Sequence, residues 1–192
     1  MRVYSAVAIA LVLSTAAIGA QAPAAKGAAK KAAAPAGRQP AGTLAQMMRG
    51  IYFPNANILF DVQSADPATP PKKQPEGDPR ATVMFANIYT GWQVVENAAI
   101  AMAESTPLFL VPGRLCQNGK PVPINQADYR AAVENMRVQA LKMLEVAKAK
   151  NQEAASDQTN EVAGACAQCH EVYRDVGDAN SPNRCTPPAA KK

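Results

Sequence analysis

Residues 166–170 read Cys166-Ala167-Gln168-Cys169-His170, and the rest of the chain has to be interpreted around this stretch. Cys-x-x-Cys-His is the attachment site of a c-type haem: two thiols add across the vinyl groups of the porphyrin, and the adjoining imidazole binds the iron. Offsets of three and four residues bring Cys166, Cys169 and His170 to one face of a helix, as a flat cofactor requires. The sequence therefore predicts one covalent haem c per chain, with His170, its sole histidine, as a metal ligand.

Three other interpretations of the motif remain open on the sequence alone. A thioredoxin-like redox pair belongs beside alternating strands and helices, but no strand-rich segment surrounds Cys166 and Cys169. A zinc site needs a second pair of Cys or His ligands at suitable spacing, which the chain does not offer. The third interpretation is a chance occurrence in an exported protein. Haem attachment is favoured because the motif is specific and the chain begins with an export signal.

Residues 1–22 have the pattern of a secretory signal peptide. A basic start at Arg2 precedes an apolar run over residues 6–13, too short to span a bilayer comfortably, and small residues follow near Ala20. We therefore expect an exported protein without stable membrane insertion after cleavage, and the alternative is an uncleaved membrane anchor. Because bacterial c-type cytochromes receive their haem outside the cytoplasmic membrane, the haem motif further implies a periplasmic, bacterial protein. Residues 23–42 are a predicted flexible linker, because Ala, Lys, Pro and Gly leave almost nothing large enough to pack.

The formal net charge of +5 is concentrated at the ends of the chain. Residues 43–190 hold 13 basic and 15 acidic side chains, a net charge of −2. No nucleic-acid partner is expected, because the folded part lacks the basic surface that such a partner requires. We also expect no enzymatic activity, because the chain has no second histidine, no Ser/His/Asp set and no phosphate-binding glycine loop.

Residues 43–178 are predicted to form an all-α domain, an antiparallel four-helix bundle with covalently bound haem. Apolar residues recur at steps of three and four in four segments, which polar and proline-rich connections separate. The first segment begins after Thr43 and should be kinked or divided at Pro54. The other predicted segments are about 80–105, about 126–150, and from Ser156 or Asp157 to near Gly177, followed by a polar tail over 179–192. The expected buried faces include Met84, Ile88, Trp92 and Val95 in the second segment and Tyr129, Val133, Met136, Ala140, Met143 and Ala147 in the third.

A haem motif near the end of such a bundle resembles the class II c-type cytochromes, the family of cytochrome c′ and cytochrome c-556. The resemblance rests on residues 166–174 (CAQCHEVYR), on residues 47–54 in the first helix (MMRGIYFP), and on Val111-Pro112-Gly113-Arg114 before the third. It implies an electron-transfer protein with periplasmic redox partner proteins, and also the option of a homodimer through the first two helices. In low-spin members a first-helix methionine is the second axial ligand, which corresponds by position to Met48.

The residues themselves leave the second axial ligand open. All seven methionines precede His170, so a methionine ligand has to come from an upstream helix. Met48 shares a helix face with Leu44 and Ile51 and is favoured, whereas Met47 is one position around the helix. If neither binds, the iron is five-coordinate and the protein binds nitric oxide or carbon monoxide, as cytochrome c′ does. A haem-bearing structural subunit of a larger complex is a further option.

Tyr173 and Arg174 complete the predicted cofactor site. Tyr173 is expected to pack on the ring system or the bundle core, with its hydroxyl at the edge. Arg174 lies one turn beyond His170, where a cation can pair with a haem propionate or with the C-terminal end of the helix dipole. The alternative for Arg174 is an ordinary surface arginine in the last turn.

Cys116 and Cys185 remain after haem attachment, and we expect them to form a disulfide. An even number of leftover cysteines in an exported protein favours pairing. Both lie in irregular segments, one before the third helix and one after the fourth, which can meet at the same end of an antiparallel bundle. The alternative is two free or intermolecular thiols.

Overall fold

The described part of the chain is all-helical. The computed structural model describes residues 39–70 and 88–187, and the predicted signal peptide and most of the predicted linker lie outside them. We label the helices α1 (Leu44–Met47, Met48–Tyr52 and Phe53–Asp61 in succession), α2 (Trp92–Ser105), α3 (Ala127–Lys148) and α4 (Gln152–Tyr173). Residues 39–70 and 88–187 form no strand, and their one isolated β-bridge joins Leu115 and Pro121. The predicted all-α class is confirmed, and four helices without strands are consistent with a helical bundle.

Helix α1 departs from regular α geometry just before its proline. Thr43 begins the helix with a capping box, in which its hydroxyl accepts from the Gln46 N–H and the Gln46 side chain accepts from the Thr43 N–H. Residues Met48–Tyr52 then form a π-helical turn, whose end is marked by the Phe53 N–H donating to the Met48 carbonyl. The α-helix resumes over Phe53–Asp61. The predicted interruption at Pro54 is thus a wider turn preceding the proline, within a helix that continues past it.

Helix α2 begins later than the sequence suggested. Residues 71–87, including Met84, lie outside the described residues. Residues 88–91 are not helical, so the predicted helix is wrong over these four residues. Ile88 is 58% exposed and is not part of a buried helix face. Gly91 precedes the helix at φ +61°, and a Cβ there would lie 2.9 Å from the Pro67 carbonyl oxygen. The chain therefore enters α2 through a bend that only glycine accommodates easily.

The core lies where α3 packs against α2 on one side and α4 on the other, with α1 packed against α2. The predicted face of α3 is buried, with Tyr129, Val133, Met136, Ala140, Met143 and Ala147 all at most 7% exposed. From α1 and α2 the core receives Tyr52, Leu59, Trp92, Val95, Ala99 and Met102. The short side chains Ala99 and Ala140 are completely buried. They allow the helices to approach each other closely.

The connection between α3 and α4 is shorter than expected. Residues 149–151 separate the helices, and Asn151 caps α4 by accepting from the Ala154 N–H at 3.0 Å. Helix α4 therefore begins at Gln152 and not at Ser156 or Asp157. Lys150 adopts φ +54°, which reverses the chain without a glycine. Helix α4 ends at Tyr173, so the predicted end near Gly177 is also corrected.

The segments after α2 and after α4 are joined. Thr106–Leu110 forms a 3₁₀ helix that leads into the irregular residues 111–126. A disulfide joins Cys116 in this connection to Cys185, with Cα atoms 6.5 Å apart. Hydrogen bonds from Asn118 Nδ2 to the carbonyls of Ser181 (2.8 Å) and Arg184 (3.0 Å) also join the two segments. The residues that follow α4 are therefore an ordered part of the fold up to residue 187.

Candidate functional site

A cavity of about 650 Å³ lies between α1, α3, α4 and the segment that follows α4. All six side chains predicted for the cofactor site line it: Met48, Cys166, Cys169, His170, Tyr173 and Arg174. The remaining lining is largely apolar and includes Leu44, Tyr52, Phe53, Ala56, Phe60, Met102, Phe109, Ala132, Val133 and Met136. The structure thus brings together residues that are more than 100 positions apart in sequence at one site.

The two motif cysteines lie one turn apart on α4 and face this cavity as free thiols. Burial raises the pKa of Cys169 to about 11 and also raises the pKa of Cys166. Thioredoxin-like Cys-x-x-Cys pairs depend on the opposite shift, because the reactive species is a thiolate. The environment of Cys166 and Cys169 therefore disfavours the redox-pair interpretation. It is compatible with haem attachment, in which neutral thiols meet the apolar vinyl edge of a porphyrin.

His170 is half-buried at the end of the motif. An Arg174 guanidinium nitrogen, Nη1, lies 3.3 Å from His170 Nε2. Burial and then the positive charge of Arg174 lower the pKa of His170, because both disfavour the imidazolium form. A neutral imidazole is the form that binds a metal through a ring nitrogen.

The two adjacent methionines of α1 have different environments. Met48 is partly buried and lines the cavity, at the start of the π-helical turn. Met47 is 8% exposed, belongs to the core cluster and does not line the cavity. Short π-helical turns are frequent at functional sites. Of the two side chains, Met48 is therefore the one available to a group in the cavity.

Tyr173 closes the cavity from the end of α4. Its hydroxyl donates to Asp128 Oδ1 at 2.7 Å, and its ring meets that of Tyr129 edge-on, with centroids 5.4 Å apart. Burial first, and then the hydrogen bond to Asp128, raise the pKa of the Tyr173 phenol. Tyr173 thereby joins the last turn of α4 to the first turn of α3.

The charged residues of the cavity rim are three arginines and two carboxylates: Arg49, Arg174, Arg184, Glu171 and Asp175. Arg174 donates to both carboxylate oxygens of Asp175, at 2.6 and 3.0 Å, and these bonds lower the pKa of Asp175. Arg49 donates to the Gln117 amide oxygen at 2.9 Å. Arg184 is a residue of the cavity that was not predicted from the sequence, and it is placed there next to the disulfide cysteine Cys185.

The residues of the cavity fit a covalently bound haem. Its volume is within the range of about 300–1,000 Å³ typical of cofactor sites, and its lining is mainly apolar. Two thiols, an imidazole and a thioether face it, which is the donor set expected for haem c with His–Met ligation. Over residues 39–70 and 88–187, no three Cys, His, Asp or Glu side chains are grouped so that they could hold a metal ion by themselves.

None of the helices in the described ranges is both long enough and apolar enough to cross a bilayer.

The model of the family described as cytochrome c′ matches residues 122–174. The match includes α3 and α4 with the whole Cys-x-x-Cys-His motif, but not Met48 or either disulfide cysteine. No curated protein and no solved structure gave a significant match. The family match supports a class II c-type cytochrome, and this family binds covalently attached haem c.

Proposed function

We propose that the chain is a class II c-type cytochrome and acts as an exported monohaem electron carrier. In the proposal, Cys166 and Cys169 bind the porphyrin, and His170 and Met48 are the two axial ligands of the iron. The observation that carries the proposal is that Met48 of α1 and the Cys-x-x-Cys-His motif of α4 line the same cavity. A bound haem supplies an iron that changes between the ferric and ferrous states by one electron.

Each residue has a distinct role. The Cys166 and Cys169 thiols would hold the porphyrin by adding across its two vinyl groups. His170 would bind the iron as a neutral imidazole, the form that its lowered pKa favours. The thioether of Met48 would be a soft second ligand, which would raise the reduction potential and leave no open position for a gas. Such a closed coordination sphere favours electron transfer over ligand binding.

The apolar lining supports a group that fills the cavity. Apolar surface that is exposed to water costs about 25 cal/mol per Å² relative to buried surface. Packing a haem against Phe53, Phe60 and Val133 would bury the apolar lining of the cavity.

The proposal includes an antiparallel bundle in the periplasm. The three-residue connection between α3 and α4 is typical of antiparallel neighbours. The Cys116–Cys185 disulfide is typical of an oxidising compartment and supports export. The predicted signal peptide over residues 1–22 would direct the chain there. Its partners would be redox proteins of the same compartment.

Haem attachment is tested on the protein produced in a host that matures c-type cytochromes. We expect the mass of one haem per chain and a Soret band, and their loss in the Cys166→Ala/Cys169→Ala variant. A mature protein without added mass would contradict the proposed function.

The axial ligand is tested with Met48→Leu and the matched control Met47→Leu, which conserve volume but remove the sulfur. We expect the parent and Met47→Leu to have a low-spin ferric EPR spectrum and a methionine–iron charge-transfer band. Met48→Leu should lose the band, become high-spin and bind carbon monoxide. A parent protein that is already high-spin and binds carbon monoxide would instead indicate a gas-binding protein like cytochrome c′.

A further inference from the structure

Arg184 is a cation at the cavity rim with donors that the protein leaves free. The residue is half-buried, and its Nε lies out of contact with solvent and without a hydrogen-bond partner among the described residues. Its one side-chain hydrogen bond is long, from Nη2 to the Gly177 carbonyl at 3.4 Å. Nη1 has no hydrogen-bond partner among the described residues, and Arg184 lines the cavity, so the terminal nitrogens are the donors that an acceptor in the cavity could reach.

The neighbouring arginines differ from Arg184 in this respect. Arg174 is paired with Asp175 through two hydrogen bonds, and Arg49 is satisfied by Gln117. Asp175 forms no ion pair within 4.0 Å with Arg184, although the charge of Arg184 contributes to lowering the pKa of Asp175. Arg184 is therefore the arginine of the rim best placed to receive an additional anion.

The backbone holds Arg184 in place. Its carbonyl accepts from Asn118, and its N–H donates to the Ser181 carbonyl at 3.2 Å. The next residue, Cys185, forms the disulfide, and its N–H donates to the Tyr173 carbonyl at the end of α4. Because these bonds already order the backbone, binding an anion here costs little additional conformational entropy.

The chemistry of haem supplies the anion. The two carboxylates of a haem are on the porphyrin edge opposite the vinyl groups. Arg174 and Arg184 line the same cavity as Cys166 and Cys169, so a haem held by these two cysteines would have cations of the cavity rim available to its carboxylates.

We propose that Arg184 binds a haem propionate through the terminal Nη nitrogens of its guanidinium group, in charge-assisted hydrogen bonds. The proposal rests on the proposed function, since it requires haem on Cys166 and Cys169. It makes the segment after α4 part of the cofactor site. The disulfide then has a local role, which is to keep this cation at the rim of the cavity.

The test uses holoprotein variants Arg184→Gln and Arg184→Lys, with Arg137→Gln as control. Arg137 is a surface arginine of α3 whose only ion pair within the described residues is with Glu104, at 3.7 Å, and it does not line the cavity. The readouts are the propionate bending bands in the resonance Raman spectrum and the midpoint reduction potential at one pH and ionic strength. Haem content is measured first by mass spectrometry.

Arg184→Gln should shift a propionate band and lower the midpoint potential, because a nearby cation favours the reduced, less positive iron. Arg184→Lys should keep most of the parent's midpoint potential, because lysine retains the positive charge. It should still shift the propionate band, since lysine lacks the planar guanidinium fork. Arg137→Gln should match the parent in both. Unchanged propionate bands in Arg184→Gln, or in Arg184→Lys if the glutamine variant does not fold, would overturn this proposal alone. Absence of haem in the parent would overturn the proposed function and this inference together.

Discussion

At the scale of single residues, the Tyr173–Asp128 pair connects the motif helix to the helix beside it. Asp128 Oδ1 accepts from the Tyr173 hydroxyl at 2.7 Å and from the Tyr129 N–H at 2.8 Å, in the first turn of α3. The Asp128 carboxylate therefore accepts hydrogen bonds from both the start of α3 and the end of α4. The Tyr173 side chain is 4% exposed, so the hydroxyl has little access to water in place of this partner.

We expect Tyr173→Phe to lower the free energy of unfolding of the holoprotein by about 1.5 kcal/mol, because it removes a hydrogen bond to a charged group. The measurement is chemical denaturation followed by far-ultraviolet circular dichroism. Tyr89→Phe is the matched control, since Tyr89 is 59% exposed, and it should leave the midpoint unchanged. Equal midpoints for Tyr173→Phe and the parent would mean that the hydrogen bond contributes nothing to stability.

The sequence predicted some residues of the site much better than others. Cys166, Cys169 and His170 were identified because haem attachment demands those residue types at a fixed spacing. Met48 was preferred over Met47 by its helix face, and the structure adds that Met48 lines the cavity whereas Met47 is in the core. Arg184 carries no local pattern, because its place depends on a disulfide to a cysteine 69 residues earlier in the chain.

At the scale of elements, apolar periodicity predicted that four helices exist but located several ends poorly. The start of α4 was placed too late because Ser156 and Asp157 are good capping residues, whereas the actual cap, Asn151, follows a lysine at positive φ. The start of α2 was placed too early because the pattern continues through Ile88. A bend that depends on contact with Pro67 cannot be inferred from neighbouring residues.

Two glycines provide a matched test of these helix assignments. Gly164 lies within α4 with no atom within 4 Å of a built Cβ, so Gly164→Ala should raise the free energy of unfolding by about 0.5–1 kcal/mol. Gly91→Ala should lower it by more than about 1 kcal/mol, because of its positive φ and the Pro67 oxygen at 2.9 Å. Both are measured by thermal unfolding of the holoprotein. A destabilising Gly164→Ala would reveal a neighbour at this position, such as a second subunit.

At the scale of the whole molecule, the disulfide joins two segments that both line the cavity. Cys116 and Cys185 both line the cavity, and they link the connection between α2 and α3 to the segment after α4. The Arg114 guanidinium extends this network, because it donates to the carbonyls of Leu108 at 3.0 Å and Gly42 at 2.7 Å. The start of α1, the connection between α2 and α3 and the segment after α4 are thus linked to one another, and together they form one wall of the cavity.

Removing the disulfide tests how far this wall depends on a covalent bond. The two cysteines are 69 residues apart, and closing a loop of this length stabilises a fold by about 4 kcal/mol, mainly through the unfolded state. We expect Cys116→Ser/Cys185→Ser to lower the free energy of unfolding of the holoprotein by about that amount. The measurement is guanidinium denaturation followed both by circular dichroism and by the Soret band, without reductant. Because the haem would stay attached through Cys166 and Cys169, its content should match the parent, and this separates lost stability from failed maturation. If the midpoints coincide, the hydrogen bonds of Asn118 and Arg114 are sufficient to hold the wall, and the covalent link is dispensable for stability.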